Sequence, residues 1–151
     1  MRSLISIAIA ALLSCVNARA QQTSNPEGLA CFESLSTPDY PKSALQAHVD
    51  GSVWTWTQVS PQAAVEKIDS QVVSAWGEGP KLLTPPVEKA IRAAKIKPEC
   101  AGKTVSLVFR YQLYGEATPN PKVTSRTDAP NIMWIESQPA AAATSKATTG
   151  P

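Results

Sequence analysis

Two periods organise the apolar residues of this chain. Residues 52–59 alternate strictly, with Val53, Thr55, Thr57 and Val59 on one face and Trp54 and Trp56 on the other. That is the pattern of a half-buried strand. Ser60-Pro61-Gln62 reads as a turn. Residues 64–74 set Val65, Ile68, Val72 and Val73 among Glu66, Lys67, Asp69 and Gln71. This predicts a second strand carrying a bulge, because the alternation slips between Val65 and Ile68. Gly77-Glu78-Gly79-Pro80 ends it. Thr84-Pro85-Pro86 then reads as a helix start, a hydroxyl N-cap followed by proline in the first turn. Val87, Ala90, Ile91 and Ala94 recur at helical spacing and make one apolar stripe. Arg92, Lys95 and Lys97 crowd the expected C-terminal end, where cations suit the helix dipole, and Pro98 is expected to stop the helix.

Residues 104–113 form the longest alternating run, with Val105, Leu107, Phe109, Tyr111 and Leu113 sharing a face. Residues 115–130 read as a proline-spotted loop. Residues 132–135 are apolar on both faces, which predicts that 131–136 pair as a fourth strand in the same sheet; if that strand lies beside 105–113, it occupies the edge of 105–113. Ahead of the first strand, residues 40–47 predict one or two helical turns, with Pro41 in a tolerated first-turn position. The order strand, strand, helix, strand gives an α+β fold: a small antiparallel sheet with one helix packed on one face.

The ends of the chain change the picture of its compartment. A basic start is followed by an 11-residue apolar run, 4–14, and by Ala18-Arg19-Ala20. This predicts a secretory signal peptide, residues 1–20, cut before Gln21. The run is shorter than the roughly 20 residues that span a bilayer, and no transmembrane span is expected in the mature chain. A second reading anchors the chain by a lipid on Cys15, since Leu12-Leu13-Ser14-Cys15 resembles a lipobox; Leu13 fits that pattern poorly. Residues 21–39 are polar and predict an extended lead-in, 40–136 the folded domain, and the Ala/Thr/Pro-rich stretch 137–151 a disordered tail.

Charge and cysteines narrow the classes further. Removing Arg2 and Arg19 from the 14 basic residues leaves 12 against 12 acidic ones. With no basic stripe, nucleic acid is not an expected partner. Of the 3 cysteines, Cys15 departs with the signal peptide. Cys31 and Cys100 in an oxidising compartment most simply form one disulfide. Its loop of about 70 residues is worth roughly 4 kcal/mol in the chain-entropy model. The alternative, a reactive or metal-binding pair, lacks a C-x-x-C and has only His48 to assist. His48 is the only histidine, the acids are scattered singly, and no phosphate loop, zinc motif or Gly-x-Ser-x-Gly occurs. The expectation is a non-enzymatic chain without metal or cofactor.

The punctuation of the chain resembles the TonB C-terminal domain family. The matching pieces are Tyr40-Pro41 with Ala44, the strand opening Gly51-Ser52-Val53, Val72-Val73-Ser74, a helix with Leu83, Ala90 and Ala94 ending in Lys95-Ile96-Lys97-Pro98, and a strand ending Phe109-Arg110-Tyr111. They cover about half the chain, in order. Two pieces depart from the pattern: Ile96 stands where an aromatic is usual, and Gln62-Ala63 where the first hairpin usually carries a glycine. The resemblance implies a periplasmic domain of a Gram-negative cell envelope linked to transport, with another envelope protein as partner. In that family the last core strand receives a peptide from an outer-membrane receptor by strand addition, which implies a partner edge at Val105, Leu107, Phe109 and Tyr111, or self-association there. The membrane anchor and long proline-rich spacer of an energy transducer find no counterpart in the short lead-in. A structural or adaptor protein that keeps the fold without energy coupling is therefore the alternative. Trp54 and Trp56 form a second candidate surface, an exposed aromatic face. The more ordinary reading is that the lead-in or residues 132–135 cover them as core.

Overall fold

The computed structural model describes residues 27–73 and 79–141; the expected signal peptide, Cys15, residues 74–78 and residues 142–151 lie outside the described residues. The chain begins with a 3-10 turn, Gly28–Cys31, followed by β1 (Phe32–Ser34), α1 (Lys42–Gln46), β2 (Gly51–Val59) and β3 (Val65–Val73). A second 3-10 turn (Gly79–Leu83) runs into α2 (Thr84–Arg92), then β4 (Lys95–Ile96) and a third 3-10 turn (Pro98–Cys100). β5 (Thr104–Leu113), β6 (Thr124–Ala129) and β7 (Ile132–Ser137) complete it. A five-stranded sheet has the order β3-β2-β5-β7-β6, and β1 pairs with β4 separately. The fold is α+β as expected, with α2 its main helix. All pairings in the large sheet are antiparallel except β5–β7.

Alternation fixes which face is the core. Val53, Thr55, Thr57 and Val59 of β2 are buried, as are Val105, Leu107, Phe109 and Tyr111 of β5 and Met133 and Ile135 of β7. Against them pack Leu83, Val87, Ala90 and Ile91 from α2 and its approach, Ala44 and Leu45 of α1, and Phe32 and Tyr40 of the lead-in. The expected bulge is present: Gln58 pairs with Lys67 and Val59 with Val65, so Glu66 is extra. At the tip of this hairpin Ala63 sits at φ 59°. That left-handed position favours glycine, and a glycine is what the sequence pattern leads one to expect there.

The structure corrects several boundaries. Thr84 does not cap α2. The 3-10 turn before it already holds Leu83 in helical geometry, so Thr84 is the first helical residue and no side-chain cap forms. α2 ends at Arg92 rather than at Pro98, and the basic residues of its last turn are Lys89 and Arg92. Lys95 and Ile96 leave the helix because the disulfide holds their segment beside the lead-in: Ile96 pairs with Phe32, and the Lys97 N–H donates to the Cys31 carbonyl at 2.8 Å. The stretch 115–130 is not all loop, since it contains β6. Order also extends past residue 136. Ser137 closes β7, and the Ala140 N–H donates to the Leu45 carbonyl at 3.2 Å.

Two tyrosines stitch the lead-in to the sheet. The Tyr40 hydroxyl donates to the Val49 carbonyl (2.7 Å), the Tyr111 hydroxyl to that of Asp39 (3.3 Å), and the rings meet edge to face at 5.0 Å. Burial, aided by Asp50 near Tyr40 and by Tyr40 and Asp39 near Tyr111, pushes both phenols above their ordinary value of 10.0. The folded chain therefore favours protonated phenols. This stability is fully present below pH 10.0, where the unfolded phenols are also protonated, and is lost as pH rises above it. The expected result is alkaline unfolding in step with their phenolate absorbance, with the Tyr40→Phe/Tyr111→Phe protein less sensitive to alkali. Ionisation of both phenols without loss of structure would contradict this account.

Candidate functional site

The face of the large sheet opposite α2 is where unsatisfied chemistry collects. The odd positions of β2 are committed to the core, so Trp54 and Trp56 must point the other way. Trp54 is 41% exposed and Trp56 half-buried. Their rings lie 6.4 Å apart, tilted by 48°. The pairing register extends this face across the sheet. One row runs Gln71, Trp54, Val108, Ile132; the next runs Val73, Ser52, Arg110, Trp134, Arg126. Gln71, Trp54, Val73, Arg110 and Arg126 on these rows are exposed, while Val108 between them is buried.

Trp134 sits between two cations. The Arg110 guanidinium carbon lies 5.1 Å from the ring centroid and that of Arg126 4.6 Å. Arg126 is also held by Glu136 at 3.3 Å and Asp128 at 3.7 Å. Arg110 is exposed, and among the described residues it has no carboxylate partner. The Trp134 Nε1–H is buried without an acceptor among the described residues. A bare indole donor beside a free guanidinium, bordered by apolar surface, is suited to receiving an acceptor-bearing group from outside.

Of the residues singled out from sequence, Trp54 and Trp56 do lie on this open face. Residues 132–135 do not stack over them, because β7 joins the same sheet. Val105, Leu107, Phe109 and Tyr111 are not a partner edge. β5 is an interior strand with β2 on one side and β7 on the other, and those four side chains are core. Among the described residues, the outer strands of the five-stranded sheet are β3 and β6. Cys31 and Cys100 form the expected disulfide. His48 is exposed at φ 52° after α1, and no group of three or more metal-ligating side chains occurs among the described residues. No described helix is long and apolar enough to cross a membrane.

Arg110, Arg126 and Trp134 were not singled out from the sequence. The signal was partly there: Arg110 falls at an even position of β5, and the β2–β5 register turns the even positions to the tryptophan face. Arg126 lies in a stretch with no periodicity to place it. No family model matches the chain, and no curated protein or solved structure matches it either.

Proposed function

We propose that this chain is a non-enzymatic protein-binding module of the cell envelope, an exported domain of the TonB C-terminal type that acts as an adaptor without energy coupling. The ordered sequence resemblance from Tyr40 to Tyr111 supports the family reading, and the signal-like start supports export. One observation carries the binding reading: a sheet face bearing exposed Trp54 and Arg110 beside half-buried Trp56 and Trp134. Tryptophan and arginine are the residues on which interface energy concentrates. The adaptor form is preferred to the transducer form because strand addition along β5 would require β7 to be displaced.

A photo-reactive residue at Gln71, beside Trp54, tests this against one at Lys89 on the exposed side of α2. The expected result is a discrete envelope-protein adduct from position 71 alone, lost in Trp134→Ala and Arg110→Ala proteins that still fold. Adducts of equal yield from both positions, or adducts indifferent to those substitutions, would sink the proposal.

A further inference from the structure

A cavity of about 670 Å³ opens at the N-terminal end of β5, between the turn Gly28–Cys31 and residues Pro130 and Asn131. It exists because β7 is shorter than β5. Their pairing begins only at Val108, whose N–H donates to the Asn131 carbonyl at 2.8 Å. Backbone groups of a strand alternate sides with period two, so those of Ser106 and Thr104 face the same way as those of Val108. No described strand lies there to meet them. The far wall is fixed in place. The Leu29 N–H donates to the Pro130 carbonyl at 2.6 Å, and Gly28 sits at φ 56° so close to Pro130 that a Cβ would lie 2.2 Å from its carbonyl oxygen.

The lining is rich in hydrogen-bond donors. Thr104 and Ser106 bring hydroxyls and Asn131 an amide, and Lys103 belongs to the same wall. The Lys103 Nζ is shielded from solvent and meets no hydrogen-bond acceptor among the described residues. Leaving a cation in that condition is costly, and a carboxylate at hydrogen-bond distance offsets the cost most directly. Val105 and Pro130 add an apolar wall, and the cavity's size is that of a small-ligand site. Glu27, exposed at the rim, adds a negative charge that works against multiply charged anions.

We infer that this cavity is a binding site for a small organic monocarboxylate, with Lys103 receiving the carboxylate and Val105 and Pro130 the hydrocarbon. The site is separate from the tryptophan face, and its variants leave Trp54 and Arg110 in place, so it stands or falls on its own.

The test is an NMR titration of the isotope-labelled full-length chain with hexanoate, with hexanol and inorganic phosphate as comparison probes. Hexanoate is expected to shift the amides of Lys103, Ser106 and Asn131 in a saturable way, with hexanol and phosphate at least about tenfold weaker. Lys103→Met should weaken hexanoate by about tenfold or more and Lys103→Arg should restore most of it, each variant first shown to keep the wild-type spectrum elsewhere. Equal binding of hexanol, equal or tighter binding of phosphate, shifts confined to another surface, no saturable shift, or indifference to Lys103→Met would each overturn the assignment.

Discussion

A chain ending at residue 128 is expected to lose cooperative folding or to associate through a bared sheet edge. The cut removes β7, and with it Met133 and the fully buried Ile135 from the core. Deleting one buried isoleucine side chain alone costs about 2–5 kcal/mol, against a total stability of about 5–15 kcal/mol for a domain of this kind. Two further losses follow. β6 is left without its only neighbour in the sheet, and the Val108 N–H and the Leu29 N–H lose their acceptors at Asn131 and Pro130. The side of β5 facing β7 would then present unpaired backbone over Val108 to Leu113, a template for pairing with another chain. Circular dichroism melting and light scattering after gel filtration would measure both effects. A truncated protein as stable as the full chain, and monomeric, would mean that β7 contributes nothing to the domain.

The same strand shows where the sequence was readable and where it was not. Ile132, Met133, Trp134 and Ile135 are apolar on both faces, which marks the segment as a strand of the sheet. The structure explains the pattern: Met133 and Ile135 enter the core while Trp134 lies between two guanidiniums on the open face. Its neighbour β6 was illegible. Thr124–Ala129 has five exposed positions and one half-buried, so no alternation records it. It is a strand only because β7 offers it a partner, a long-range fact that local pattern does not carry. β4 was hidden for a related reason. Lys95 and Ile96 continue the basic run of α2, and the pairing of Ile96 with Phe32 beside the Cys31–Cys100 cross-link is a long-range contact that this run does not record. The tryptophan face was legible in β2, where Val53, Thr55, Thr57 and Val59 left Trp54 and Trp56 no other side to occupy. Its cationic half was not, since Arg110 and Arg126 meet Trp134 through pairings across three strands. The cavity beside Lys103 depends on a difference in strand length and on a turn closed by Leu29 and Pro130, neither of which has a signature in composition or period.

Replacing Cys100 with alanine is expected to lower stability by roughly 4 kcal/mol, which for a domain of this size is a fall in Tm of about 15 °C. Cys31 and Cys100 are bonded across 69 positions, and both are buried. Freed of that link, the unfolded chain regains the entropy of a long open loop. The folded chain also loses local order, because the bond holds β1 against β4: the Lys97 N–H reaches the Cys31 carbonyl, and Phe32 faces Ile96. Hydrogen exchange should therefore quicken first at Phe32, Ile96 and Lys97, before the centre of β2 and β5 changes. The Cys31→Ala/Cys100→Ala protein serves as the control. It should be destabilised by a similar amount, which would separate the loss of the cross-link from the effect of leaving one buried thiol. Alkylation of the native protein should find no free thiol at either position. Two alkylated cysteines in a protein that remains folded, or a Cys100→Ala variant that melts with the wild type, would remove the cross-link from the account of what holds the lead-in to the domain.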